Sequence, residues 1–513
     1  MPGRLPMDAV MTGSNKSPNR KGLVGLLVGL AFLLVAAYGG VAMWGASEFT
    51  QPEGIIATQV RALAREGTLY YSLQQYPYTV CAYMPVFYGL AAGLVKLGLP
   101  PLLGGRAVSF LALVAVLGLV WRLVALYTGR RLAAWLGLGL AGVTQLLVGW
   151  GTTGQVDMLG LAFSLAAFHQ YARFEVEGRE SLDWAAGLAV AGLFTKQTFL
   201  AAPAAIFVLL LLAAPRRAAR FAFLVGGVGG LTVLGVNWLL DGRFLTNTVF
   251  ANMNPFAWYK LRQPLEYLGV VLAPLVLVVL AGARASFGGA MRAPFVYLGL
   301  AFTVFLLTAP KVGADSNYLI ETAALLVIGA CCALQALRYF ELTAAGSKSW
   351  VTLLALPVAL YAVQNLRVAA PALVQRVARE QEFARQVEGL RPYLGGTGRI
   401  LSADSNALVQ AGRLFEVEPL IYRLLVEAGR IDGAAVQRDL EAGRFESILL
   451  YEDLAAATDP DPEFPRLTAG QMETIRRRYE LVKHVPGPYL GGVYVYQRAG
   501  GSARRSLPMR LID

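Results

Sequence analysis

Few residues in this 513-residue chain have side chains suited to chemistry, and they are carboxylates, lysines and arginines rather than thiols or imidazoles. The chain has three cysteines, Cys81, Cys331 and Cys332, and two histidines, His169 and His484. Adjacent cysteines in an apolar run with a third far away give no disulfide framework and no thiolate metal site. Two isolated histidines give no Ser-His-Asp arrangement. The candidates that remain stand in short polar islands: Glu48 and Glu53 in Ser-Glu-Phe-Thr-Gln-Pro-Glu-Gly, Asp157 in Gly-Gln-Val-Asp, and Lys196 with Gln197 in Thr-Lys-Gln-Thr. Asn252 and Asn254 follow in Asn-Met-Asn-Pro-Phe, and Lys311, Asp315, Asn317 and Tyr318 in Lys-Val-Gly-Ala-Asp-Ser-Asn-Tyr. In such company a carboxylate can take a proton from an attacking hydroxyl, and a cation can stabilise a departing phosphate.

Each island also has a plain structural reading. Asp157 suits a helix N-cap, Lys196 can snorkel to an interface, and Asn-Pro-Phe and Asp-Ser-Asn suit turns. Tyr70, Tyr71, Tyr76, Tyr78, Tyr83, Phe87 and Tyr88 suit an interfacial aromatic belt. What decides between the readings is whether the scaffold gathers the islands together.

That scaffold reads as a polytopic α-helical membrane protein. The chain is 56% hydrophobic and only 15% charged, with mean hydropathy +0.52, whereas soluble domains carry about 25% charged residues. This argues against a soluble nucleic-acid binder despite the net charge of +12. A bilayer core of ~30 Å needs about 20 apolar residues per helix. Apolar stretches of roughly that length, with few charges and those mostly at their ends, occur at about 22–47, 106–127, 131–150, 156–173, 183–198, 199–215, 220–240, 264–283, 293–309, 318–338 and 349–367. The reading is therefore about 11 transmembrane helices in a domain spanning 22–367, behind a polar, disordered cytoplasmic N-terminus, 1–21.

The segment 83–99 is apolar but short and broken by Pro85 and glycines. Treated as a re-entrant or interfacial helix within a long outer loop, 45–105, it leaves Arg130/Arg131, Arg173/Arg179, Arg216/Arg217/Arg220, Arg284/Arg292 and Arg338/Lys348 all on the inner side, with the basic N-terminus. Inner loops then carry +10 and outer loops +2, the positive-inside pattern. All the polar islands fall on the outer face, where ionisable groups at membrane depth default to function. The site so formed suits a substrate with a lipid tail and an anionic phosphate head.

The tail, 368–513, has 19 basic and 19 acidic residues and contributes nothing to the net charge. It opens with an amphipathic stretch, 372–390. Strand-like runs follow at 399–402, 447–451, 479–485 and 492–497, with helix-like segments at 416–430, 433–442 and 469–478. This reads as a small α/β domain outside the membrane.

With these elements in order, the chain resembles the GT-C membrane glycosyltransferases, in particular bacterial relatives of protein O-mannosyltransferases and of lipid A aminoarabinose transferases. The motifs that carry the resemblance, over about residues 22–340, are Pro52-Glu-Gly54, Tyr83-Met-Pro85, Gly105-Arg106, Val-Asp157, Thr195-Lys-Gln197, Asn252-Met-Asn-Pro255 and Lys311 to Tyr318. The resemblance implies a GT-C-like fold and a membrane hexosyl or pentosyl transferase. Such an enzyme moves a sugar from a polyprenyl-phosphate donor, usually with inversion, to an envelope lipid, glycan or protein. It implies a bacterial plasma (inner) membrane location with site and tail on the periplasmic or extracellular side, and membrane lipids rather than nucleic acid as surroundings. By position, Glu53 becomes the general base and Asp157 a second acidic residue that orients the acceptor or helps hold a cation. Lys196 and Lys311 become phosphate ligands. Glu48, Tyr83, Arg106, Gln197, Asn254, Asp315, Asn317 and Tyr318 become substrate-binding neighbours. Related enzymes often carry an Asp-Glu pair where this chain has Pro52-Glu53, which leaves Glu48 as an alternative base. The resemblance requires no cofactor and admits a divalent cation; the metal ligands are left open. A transporter or lipid flippase is the alternative reading, with a membrane scaffold as a third, although transporters tend to show internal repeats and midplane charges and neither is evident here.

Overall fold

The computed structural model describes residues 18–287, 291–341, 353–456 and 464–498. Most of the N-terminal segment 1–21, the start of the expected span 349–367, and Lys348 lie outside the described residues.

The first helix, α1 (Pro18–Trp44), is followed by α2 (Gln51–Glu66), α3 (Pro85–Lys96) and α4 (Pro101–Thr128). Their limits follow from local chemistry. Prolines sit in the first turn of α2, α3 and α4, where a missing N–H costs nothing, and Gly67 and Gly129 close α2 and α4 in the left-handed conformation. The segment 83–99 is thus a 12-residue helix, α3, too short to span a bilayer. A bent pair, α5 (Arg131–Val143) and α6 (Gln145–Gly151), turns by 64° at Thr144. The groups freed by the break are taken up by the last long helix: Tyr361 hydroxyl lies 2.6 Å from Thr144 Oγ1, and the Gln145 N–H donates to Asn365 at 3.0 Å.

Next come α7 (Asp157–Glu177), α8 (Leu182–Leu193), α9 (Ala201–Ala213), α10 (Pro215–Leu239), α11 (Trp258–Ser286), α12 (Arg292–Thr308) and α13 (Ser316–Ala336). Five helices, α1, α4, α10, α11 and α13, are long and apolar enough to cross a membrane, and the bent α5–α6 pair makes a sixth candidate. The others among the eleven expected spans coincide with helices, several of only 12–17 residues. Helix α13 is the axis of the bundle, with 89% of its most apolar window buried, whereas α10 is 11% buried and faces outward.

The 40-residue α14 (Ala355–Leu394) runs from the bundle into the tail without interruption. Beyond it lie β1 (Arg399–Ser402), α15 (Ser405–Gln410), α16 (Pro419–Glu427), α17 (Ala434–Glu441), β2 (Phe445–Leu450), α18 (Ala469–Arg478), β3 (Tyr479–Val485) and β4 (Val493–Arg498). The sheet order is β1-β2-β4-β3, with β1 parallel to β2 and the other pairs antiparallel. The tail is stitched to the first loop: the Tyr78 N–H donates to Glu416 carbonyl and the Glu418 N–H to Tyr78 carbonyl.

Candidate functional site

The loop before α2 is held by one arginine. Arg106, at the start of α4, is fully buried, and all five of its N–H groups find acceptors. Nε and Nη2 grip Glu53 at 2.8 and 3.0 Å, Nη2 also reaches Ser47 carbonyl at 2.5 Å, and Nη1 reaches Ala42 and Gly45 carbonyls at 3.0 and 2.6 Å. Glu53 completes its own set by accepting the Phe49 and Gly154 N–H groups, each at 2.7 Å. Burial raises its pKa, but the Arg106 charge and these donors outweigh burial and hold the carboxyl below its usual value. The backbone comes close enough here to require glycine, since a Cβ on Gly105 would meet Gly154 Cα at 3.2 Å. Glu53, expected as a general base, is therefore a fully bonded anchor that ties the α2 loop to α4 and to the loop preceding Asp157.

Asp157 has a different environment. It opens α7, is 1% exposed, and takes both of its bonds on one oxygen, Oδ1: Lys196 Nζ at 2.6 Å and Asn317 Nδ2 at 3.0 Å. Oδ2 is buried without a partner. Lys196 follows α8, with its ammonium 4.3 Å from the Tyr318 ring centroid and 5.5 Å from that of Tyr83. Nearby, half-buried Lys311 donates to Asn252 Oδ1 at 2.5 Å. Burial and the Lys196 charge push its pKa down to about 8. Asp157, Lys196, Asn317, Tyr318 and Tyr83 thus come together, with Lys311 beside them.

Beside Ser316 lies a cavity of about 260 Å³. Trp150 and Tyr267 give it aromatic walls, and Thr50, Gln145, Gln263 and Ser316 give it hydroxyls and amides. Arg376, from α14, closes it, donating to Thr152 Oγ1 at 2.7 Å and to Gly149 carbonyl at 2.9 Å. Its guanidinium and that of Arg106 both lie over Phe49, at 4.7 and 4.0 Å.

No family model matches the sequence, and no curated protein matches it. Solved structures do. ArnT from Cupriavidus metallidurans in the apo state superposes with TM-score 0.64 at 13% identity, over 95% of this chain and 99% of that one. The same protein bound to undecaprenyl phosphate gives 0.62 at 13% identity, over 95% and 100%. The Archaeoglobus fulgidus oligosaccharyltransferase in its apo form gives 0.56 at 11% identity, over 86% and 70%. The chain has the GT-C fold.

Within this GT-C frame the other expected residues play holding roles. Gln197 Nε2 donates to Ala82 and Thr248 carbonyls at 3.0 and 3.2 Å, and Asn254 Nδ2 to Val312 carbonyl at 3.0 Å. Asp315 caps the turn that carries Asn317 by accepting the Ser316 N–H. Glu48 is turned towards the tail, where it accepts Ser405 Oγ at 2.6 Å and lies so close to Gly54 that a Cβ there would be 1.7 Å from its carboxyl. Burial, then neighbouring Asp404, pushes the Glu48 pKa well up. This buried environment, closed by Ser405 and Gly54, is unlike that of an open base.

Among the described residues no three His, Cys, Asp or Glu side chains converge as a metal site. None of the chemistry proposed below is routed through a metal. Sequence reading did not find Arg376, Trp150 or Gln263. Arg376 lies in the amphipathic stretch, where a charged residue reads as a solvated face.

Proposed function

We propose that this protein is a membrane glycosyltransferase that moves a sugar from a polyprenyl-phosphate donor to an envelope acceptor bearing a hydroxyl. The observation that carries the reading is the combination, in a GT-C fold, of an unpartnered buried carboxylate oxygen on Asp157 with Lys196 bonded to its other oxygen and with Lys311, which feels the charge of Lys196. Two neighbouring ammonium groups are best satisfied by an anion between them, and the phosphate of the donor is such an anion. Lys311 uses one N–H on Asn252 and has donors left for it.

In this reading the acceptor hydroxyl gives its proton to Asp157 Oδ2 as its oxygen attacks the anomeric carbon. The bond from that carbon to the phosphate oxygen breaks with its electron pair on the phosphate, where Lys196 and Lys311 stabilise the charge. A single displacement inverts the anomeric centre. Asp157 supports this role better than Glu53, whose acceptor positions are filled by Arg106 and two backbone N–H groups. The cavity with Trp150, Gln145 and Gln263 has the mixture of ring face, amide and hydroxyl that suits a carbohydrate or glycolipid acceptor. The charge asymmetry of the loops supports an outward-facing site in a bacterial plasma membrane.

The test is transfer by the purified full-length protein from a radiolabelled polyprenyl-phosphate sugar to a lipid, glycan or peptide acceptor. Parental turnover with loss in Asp157→Asn is expected. Undiminished turnover in Asp157→Asn would remove the assigned base.

A further inference from the structure

At the end of the bundle remote from this site, α4 and α7 frame a groove of about 500 Å³ that none of the chemistry above uses. Arg122 follows Arg106 by 16 residues on α4, about 24 Å along the axis at 1.5 Å per residue. The groove is lined by Trp121, Arg122, His169, Arg173, Glu177 and Arg179. Its charges do not balance. Glu177 pairs with Arg179 at 2.9 Å and Arg173 at 3.5 Å, whereas Arg122 is exposed and belongs to none of the ion pairs among the described residues. Three guanidiniums against one carboxylate leave a surplus of positive charge. Trp121 adds an indole N–H that is buried without an acceptor, and its ring packs edge-on against exposed Trp135 at 5.8 Å. A tryptophan pair of this kind marks the membrane–water boundary.

We propose that this groove binds the phosphodiester headgroup of an anionic membrane phospholipid. An unpaired arginine set back from the end of a spanning helix is costly in lipid unless an anion meets it. A phosphodiester oxygen pair fits the guanidinium fork, and the Trp121 N–H supplies a further donor. The apolar faces of α4 beside the groove receive the acyl chains, which a soluble phosphate lacks. Basic pockets between transmembrane helices are known lipid-headgroup sites. The site is independent of the proposed transfer chemistry.

The experiment uses the full-length protein in detergent, with thermal unfolding and native mass spectrometry after addition of phosphatidylglycerol, phosphatidylcholine or sodium phosphate. Phosphatidylglycerol is expected to be retained about tenfold better than phosphatidylcholine. Arg122→Gln with Arg173→Gln should abolish that preference, while Arg217→Gln, another basic residue at the same end, should keep it. Arg122→Gln alone, at an exposed position, should weaken it with the fold intact. Equal retention of the two lipids would overturn the proposal, as would a preference that survives in the double variant or equal protection by sodium phosphate.

Discussion

Lys196 and Asn317 both bond to the same oxygen of Asp157, at 2.6 and 3.0 Å, leaving the other oxygen buried and bare. The two donors come from the loop after α8 and from the first turn of α13, so the free lone pairs of Asp157 are fixed in direction before any substrate arrives.

Replacing Asp157 by Asn keeps the size and both donors in place but removes the basic oxygen. We expect kcat to fall by about 10²–10⁴-fold with donor KM little changed. A steady-state comparison of the two constants checks it, and a loss confined to KM would assign Asp157 to binding instead.

Glu53→Gln should act on stability before chemistry. It leaves the Arg106 guanidinium buried without its counter-charge, a change that costs about 3–5 kcal/mol in buried pairs. Thermal unfolding in detergent should shift clearly downward. A variant with parental unfolding and lost turnover would point back to Glu53 as the base.

Lys311 gives the donor step a basic limit. With its pKa near 8, the ammonium is charged below that pH and neutral above it, so kcat/KM for the donor should decline as pH passes 8. Lys311→Arg stays charged throughout and should carry the plateau to higher pH. Identical profiles for parent and variant would exclude Lys311 as a phosphate ligand.

The junction of Glu48 with the tail should weaken as pH rises. Burial pushes the Asp404 carboxyl up to about 6 and that of Glu48 well above its usual value. Carboxyls raised in the folded state bind more protons there than in the unfolded chain, so the contribution of these two to stability is greatest below the ordinary carboxylate range and is lost as pH climbs through the raised values. Glu48→Gln keeps a neutral side chain against Ser405. It should unfold at a higher temperature than the parent at pH 8 and lose part of the pH dependence. Equal melting temperatures at pH 5 and pH 8 in the parent would refute this.

Much of the architecture was legible in the residues. β1 and β3 occupy the expected 399–402 and 479–485, short runs with β-branched and aromatic residues, and α18 occupies 469–478 with a capping box from Thr468 and Gln471. The six-residue α15 was not foreseen, being too short to show a helical period. The islands were legible as a group, yet their internal roles were not, because those depend on partners far along the chain. Glu53 meets Arg106 from 53 residues away, and Glu48 meets Ser405 from 357 residues away. No local pattern separates a carboxylate saturated by such a partner from one left with a free oxygen. Arg376 escaped for the same reason, since its acceptors Thr152 and Gly149 lie more than 200 positions earlier.

The uninterrupted α14 gives the tail a mechanical status. At 1.5 Å per residue its 40 residues measure about 60 Å, twice the hydrocarbon thickness. Arg376 and Glu380 bolt it to the α6 end and to the Ala46 and Ser47 N–H groups, and Gln386 grips Asp404 in the tail. A domain on a loose linker could swing freely over the bundle. Here one continuous helix, with Pro371 and Pro392 inside it, joins the two, and Glu380 ties it to the same loop that seats Glu53.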